Sequence, residues 1–314
     1  MRRLLLLLAA VLLVGCGGAE RDAELTLALD FVPNAVHAPL FAAADEGAFA
    51  IRQPGSGPDA LKLVASGRVQ FGVLDIHDLA IAQAEGSDVV AIAALVDRPL
   101  AALVARTPVR RPRDLEGRTV GVSGLPSDPA FLRAIVAADG GDPDEVDQVT
   151  IGFSAVTRIL SGRVDAAPVF WNAEGVVLRR RGLEINEFRV EDYGAPAYPE
   201  VVLITSRETL GERRDELQAA LEEIDAGVAA VRADPAAAAE RVAEAAEAGD
   251  VGLVRAQLDA VLPLYGMRLD RPRLEAWAAF DARIGIVDTP PDVARAFDFD
   301  LSADLAAQAE PATR

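Results

Sequence analysis

The sequence predicts an α/β fold of two lobes, each a mainly parallel sheet flanked by helices, followed by a helical C-terminal region. Three observations predict it. Short apolar runs alternate with helix-patterned segments from about residue 25 to 190, the pattern of parallel strands connected through helices. Two proline-bearing stretches, Pro108 to Gly117 and Pro196 to Pro199, interrupt that alternation and divide it into two series. Beyond Glu208 the strand pattern stops, and apolar positions recur at helical spacing, as at Leu217, Leu221, Ile224 and Val228.

Glu24 to Asp30 alternates and is apolar enough for a first strand; Pro33-Asn34 breaks it, and Ala38 to Glu46 reads as a helix that stops at Gly47. Strands follow near 70–75, 89–95 and 100–105, with helices near 58–66 and 76–85, and these complete the expected first lobe. After the crossover at Pro108 to Gly117, a second series begins at Thr119-Val-Gly-Val122. It continues with helices at 128–139, 155–162 and 172–181 and strands at 148–153, 165–170 and near 185–190. Pro196 to Pro199 returns the chain, and Val201 to Thr205 rejoins the first sheet. The expected division is therefore lobe 1 at 24–106 and 200–314, around lobe 2 at 107–199. Alanine-rich helices from Glu208 to Ile286, punctuated by Asp234-Pro235, Gly249-Asp250 and Arg271-Pro272, would cap and buttress the first lobe.

The N-terminus reads as an address. Arg2-Arg3 and the apolar run Leu4 to Val14 form a signal segment too short to span a bilayer, and Leu13-Val-Gly-Cys16 closes a lipobox. Residues 1–15 would be removed before Cys16, the cysteine acylated, and 16–23 left as a tether on the extracytoplasmic face of the cell membrane. Cys16 is the sole cysteine, which excludes internal disulfides and cysteine-based zinc sites. The formal charge is −18, and losing Arg2 and Arg3 takes it to −20. So acidic a chain argues against nucleic acid as a partner, because phosphate binding needs clustered cations; the basic run Arg179-Arg180-Arg181 reads as a solvated helix face.

Open α/β sheets bind ligands beyond the carboxyl ends of their strands. That rule singles out Asp30, Phe31, Asn34 and His37 after the first strand, although Asn34 could equally make an Asx turn and His37 cap the next helix. It also singles out Asp75 and His77, with Asp78 as an ordinary helix cap, and the run Trp171-Asn172-Ala173-Glu174 in the second series. Ser123-Gly124 and Ser127-Asp128 precede a helix whose N-terminal amides could seat an anion, or merely be capped. Tyr193 and Tyr198 flank the return crossover and could wall an aromatic sandwich or pack the hinge, and Trp277 reads as core. A zinc site on His37, His77 and Asp75 lacks close ligand spacing, so neither metal nor cofactor is expected. Two lobes joined twice make a hinged cleft, and a ligand touching both would favour closure.

Several segments taken in order carry a family resemblance: Leu27 to Phe49, Pro58 to Gly67, Val73-Leu-Asp-Ile-His77, Asp114 to Gly121, Phe170-Trp-Asn-Ala-Glu174 and Asp192 to Glu200. Together they resemble extracytoplasmic solute-binding lipoproteins of ABC importers for thiamine-precursor pyrimidines and riboflavin, a superfamily whose other members bind sulfonates, taurine and nitrate. The resemblance covers residues 24 to about 205 well and the C-terminal third loosely. It implies the two-lobed periplasmic-binding-protein (type II) fold, a monomer, an ABC permease with its ATPase as partners, and no catalysis. It implies that Glu174 pairs with an aminopyrimidine edge, and that Phe31 stands where pyrimidine binders usually carry tryptophan. Hydroxymethylpyrimidine or a formylamino-pyrimidine is thus the leading ligand. Phe31 and the Asp75-Ile-His77 sequence lean towards riboflavin, and a sulfonate or taurine comes next. Fungal thiamine-pyrimidine synthases share the signature but use a cysteine-rich, iron-associated segment that this chain lacks. One departure follows Gly47-Ala48-Phe49, where the family's acidic Gly-Leu run is replaced by a short passage from Ala50-Ile51-Arg52 to Pro54-Gly55.

Overall fold

The computed structural model describes residues 25–54, 59–247, 249–303 and 305. The expected signal segment, Cys16 and the tether lie outside the described residues. Among those described, no helix is long and apolar enough to cross a membrane.

Two five-stranded sheets organise the molecule. The first contains β1 (Thr26–Ala28), β2 (Ala50–Arg52), β3 (Phe71–Asp75), β4 (Val89–Val96) and β10 (Val201–Ser206), in the order β2-β1-β3-β10-β4. The second contains β5 (Ala101–Arg106), β6 (Thr119–Val122), β7 (Asp147–Thr150), β8 (Ala166–Phe170) and β9 (Ile185–Arg189), in the order β7-β6-β8-β5-β9. β10 runs antiparallel between β3 and β4, and β5 antiparallel between β8 and β9, so each sheet carries one strand that came from the other side of the hinge.

The strand expected at 100–105 in the first lobe is therefore a member of the second sheet. The first crossing falls at Asp97 to Leu100, ahead of the Pro108 to Gly117 stretch, which instead lies within the second lobe. Ala101-Ala-Leu-Val-Ala is buried on both faces, as a central strand must be, and it fills the gap between β8 and β9. β2 was not expected as a strand; its three residues pair in parallel with Thr26–Ala28 at the sheet edge.

Helices α1 (Ala38–Asp45), α2 (Ala60–Ala65) and α3 (Ile76–Ala84) belong to the first lobe; α4 (Ser127–Ala138), α5 (Ala155–Leu160) and α6 (Glu174–Arg180) belong to the second. The C-terminal series comprises α7 (Arg207–Glu212), α8 (Arg214–Ala233), α9 (Pro235–Ala245), α10 (Val251–Val261) and α11 (Arg271–Ile284). Its punctuation marks are helix starts. Asp234, Asp250 and Asp270 each accept the N–H three residues on, at 3.0, 2.8 and 3.0 Å. Helix α8 buries Leu217, Leu221, Ile224 and Val228 against α1. Gly227 allows the close approach, since a Cβ there would lie 2.4 Å from the Pro39 carbonyl oxygen. Beyond buttressing the first lobe, α10 also touches α6 and α11 touches α4, so the C-terminal helices lean on both lobes. β4, although at the sheet edge, is buried along its length, covered by the segment around Phe297 and bridged by Tyr265.

Candidate functional site

The parallel strands β1 and β3 of the first sheet and β6, β7 and β8 of the second each carry candidate residues just past their carboxyl ends. After β1 the chain bends through Asp30 to Pro33 and enters a short 3-10 turn, Ala35–His37. Asn34 caps that turn: its Oδ1 accepts the Val36 N–H at 2.9 Å and its Nδ2 donates to the Val32 carbonyl at 3.0 Å. His37, only 1% exposed, accepts the Asn34 N–H on Nδ1 at 3.3 Å. Its proton is therefore on Nε2, which donates to Asp30 Oδ1 at 2.8 Å. Asn34 and His37 thus hold the elbow, which leaves Asp30, whose side chain is 21% exposed, and Phe31, 40% exposed, as the candidates for ligand contact there.

Phe31 meets an aromatic partner from the other lobe. Phe153, in the loop between β7 and α5, is 64% exposed, and its ring centroid lies 5.6 Å from that of Phe31 with the planes at 60°. The sequence reading missed Phe153; it offered Tyr193 or Tyr198 as the far aromatic wall and Trp171 as a further ligand contact. Trp171 is instead buried at the hinge: its indole N–H donates to the Pro99 carbonyl at 3.3 Å, and the Arg189 guanidinium lies 3.8 Å over its ring. Tyr193 also leaves the cleft, packing edge-on to Phe188 with centroids 6.2 Å apart.

Glu174 opens α6, as the first turn favours for a carboxylate. Its Oε2 accepts the Phe170 N–H at 3.2 Å, and burial pushes its carboxyl above the usual range despite that bond. Asn172, two residues before, is buried with Oδ1 lacking a donor. Across the cleft, Asp78 is raised by burial and by the nearby Asp30 charge, against the pull of His77. The anion seat expected at Ser123 is taken from within: the Asp128 carboxylate accepts the Ser123 N–H, while Ser123 Oγ accepts the Leu125 N–H at 3.1 Å. Burial raises the Asp128 carboxyl, with the Ser123 bonds opposing. Among the described residues, no arginine or lysine pairs with Asp30, Asp78, Asp128 or Glu174.

Asp75, His77 and Tyr198, expected at the cleft, lie in the hinge. Asp75 caps α3 by accepting the His77 N–H at 2.7 Å. The His77 ring is buried, with Nδ1 2.9 Å from both Asp281 oxygens and Nε2 3.1 Å from the Tyr198 hydroxyl. Burial alone would lower His77, but Asp281, Asp75 and Glu200 carry it to about 10. Glu200 Oε2 accepts the Leu100 and Ala101 N–H groups, which joins the return crossing to the first one. Sequence gave no sign of Glu200; Asp281 was detectable as an acidic residue on the apolar face that carries Leu274, Trp277 and Ala278. Among the described residues His37 is not grouped with His77 and Asp75, its Nε2 being held by Asp30, so the zinc triad considered from sequence is not assembled.

If the cross-cleft ring pair grips a planar ligand, Phe153→Ala should weaken binding by about 0.5–1.5 kcal/mol, two- to tenfold. Isothermal titration checks this, and unchanged affinity would remove Phe153 from the site.

The fold has known counterparts. The alkanesulfonate-binding protein SsuA of Xanthomonas axonopodis pv. citri, solved bound to MOPS, superposes with a TM-score of 0.71 at 16% identity, over 88% of this chain and 98% of that one. The formylaminopyrimidine-binding protein of Halalkalibacterium halodurans is 36% identical over 230 residues, 68% of this chain and 69% of that protein. The riboflavin-binding protein RibY of Chloroflexus aurantiacus is 26% identical over 305 residues, 87% of this chain and 84% of that protein. The family described as NMT1/THI5 like matches residues 34–238, a span that runs from the Asn34 elbow through both crossings into α9. With that match over more than half its length, this chain belongs to the NMT1/THI5-like family.

Proposed function

We propose that this chain is the substrate-binding component of an ABC importer, anchored by lipid on Cys16 outside the membrane, and that it captures an amino-bearing planar heteroaromatic of the thiamine-pyrimidine type. The observation that carries this reading is one aromatic ring from each lobe meeting across a cleft whose carboxylates have no basic partner. Such a site accepts N–H donors and stacks a ring; it repels a sulfonate, for which the Ser123 amide is already occupied by Asp128. The relative that binds formylaminopyrimidine supports the same ligand class. RibY supports a second reading, riboflavin, because it aligns along most of this chain and an isoalloxazine also offers a face and a ring N–H. A synthase reading has less support, since Cys16 leaves no cysteine-rich segment.

Titrating the mature protein with hydroxymethylpyrimidine, its formylamino analogue, riboflavin and taurine tests the proposal. Tight pyrimidine binding with none of taurine is expected; riboflavin alone would move the assignment to the second reading, and taurine alone would refute both. For the anchor, Cys16→Ser should abolish acylation and shift the protein from the membrane fraction to an unprocessed or mislocalised form. Normal processing without an acyl mass in the wild type would end the lipoprotein assignment.

A further inference from the structure

We propose that Asp75, His77 and Glu200, with the Tyr198 hydroxyl, form a binding site for one divalent cation of the zinc type at the hinge between the lobes. One ligand atom each from Asp75, His77 and Glu200 lies within 4.8 Å of the others. His77 Nε2 is 3.8 Å from Glu200 Oε1 and 3.1 Å from the Tyr198 hydroxyl. Ligands at about 2.0–2.2 Å around a tetrahedral zinc stand about 3.4 Å apart, so small side-chain adjustments close the set.

Three further features point the same way. Glu200 is fully buried, and while Oε2 is held by the Leu100 and Ala101 amides, Oε1 faces His77 with no hydrogen-bond donor. Asp281, with both oxygens 2.9 Å from His77 Nδ1, fixes the ring and turns Nε2 towards the cluster; metal-bound imidazoles almost always donate their other N–H to such an acceptor, a carboxylate, a backbone carbonyl or water. Finally, Asp75, Glu200 and Asp281 share one imidazole, and among the described residues no arginine or lysine pairs with any of them. A buried surplus of carboxylate calls for compensation, and a dication that replaces the Nε2 proton supplies it. Asp75 is the least buried member and provides the way in.

This departs from the metal-free expectation of the sequence because Glu200 and Asp281 lie more than a hundred residues from His77 and no spacing rule reaches them. The site would bind the first lobe to the return crossing, and through Glu200 to the first crossing, so the cation would restrain both hinge strands. It does not depend on which ligand the cleft takes.

The test uses the full chain, stripped with EDTA and titrated with zinc chloride against a chromogenic chelator, with bound metal counted by mass spectrometry. One equivalent per chain and a raised melting midpoint are expected. Glu200→Gln keeps an acceptor for the two amides and Asp75→Asn keeps the cap, so each should fold and bind zinc at least about tenfold more weakly; Asp281→Asn should lose about ten- to a hundredfold. In the unmodified chain, 15N-histidine spectra should show one of the two rings shifting at Nε2 while the other, His37, stays. Less than about a fifth of an equivalent at micromolar zinc overturns the proposal under this site's closed geometry. So does equal binding by Glu200→Gln and Asp75→Asn, which would mark scattered surface carboxylates, or two histidine rings that both ignore saturating zinc.

Discussion

Glu174→Gln is expected to weaken aminopyrimidine binding by about 1.5–3 kcal/mol, roughly ten- to a hundredfold. The amide keeps the shape and the Phe170 contact but replaces an ionised acceptor by a neutral one, so the ligand's amino protons lose a charge-assisted bond. The fold should not suffer. Burial holds the Glu174 carboxyl above its usual pKa, which means that the ionised form is disfavoured in the folded state and lowers stability at neutral pH. Removing that charge should leave the melting midpoint unchanged or higher, which separates loss of binding from loss of structure. In the wild type, affinity should decline as pH falls through the raised Glu174 pKa, because the acceptor is then protonated. Calorimetric titration of both proteins across acidic pH checks the pair of expectations; equal affinities at neutral pH would exclude Glu174 from ligand contact.

Glu200→Leu should be the more damaging change to the molecule itself. Leucine leaves the buried Leu100 and Ala101 N–H groups without an acceptor and takes a carboxylate from beside the charged His77. Removing one partner of such a buried set costs about 3–5 kcal/mol, which in a chain of this size lowers the melting midpoint by roughly 10 °C. Glu200→Gln retains an acceptor for both amides and should lose much less. Thermal melts of the three proteins without added metal decide the matter, and a leucine variant that melts with the wild type would show that the bond between the crossings contributes nothing.

Local patterns made most elements legible, because strand alternation, helix starts at Asp-Pro and Asp-x pairs, and stops at glycine are written within a few residues of one another. Sheet membership was not. Ala101 to Arg106 finds its partners at Ala166 to Phe170 and Ile185 to Arg189, and nothing local distinguishes those from strands of the first sheet. The same limit shaped the site. Asp30, Phe31 and Glu174 were singled out because they sit beside strand ends, and Phe153 answers to the same rule, following a glycine just past β7. It was overlooked because the strand was extended to include it. Trp171 drew attention by its size, yet a ring that large next to a crossing is more useful filling the hinge, where Arg189 covers it.

Under the proposed function, Asp128 would also set which anions the site rejects. A bare loop amide at the head of α4 would be a ready seat for phosphate or sulfate. With its own carboxylate seated on the Ser123 N–H, the chain would meet those ions with like charge. Asp128→Ala should therefore gain measurable sulfate or taurine binding, and continued indifference would show that something other than this carboxylate turns anions away. On that reading a single side chain would separate a scavenger of rings from a scavenger of salts on one scaffold.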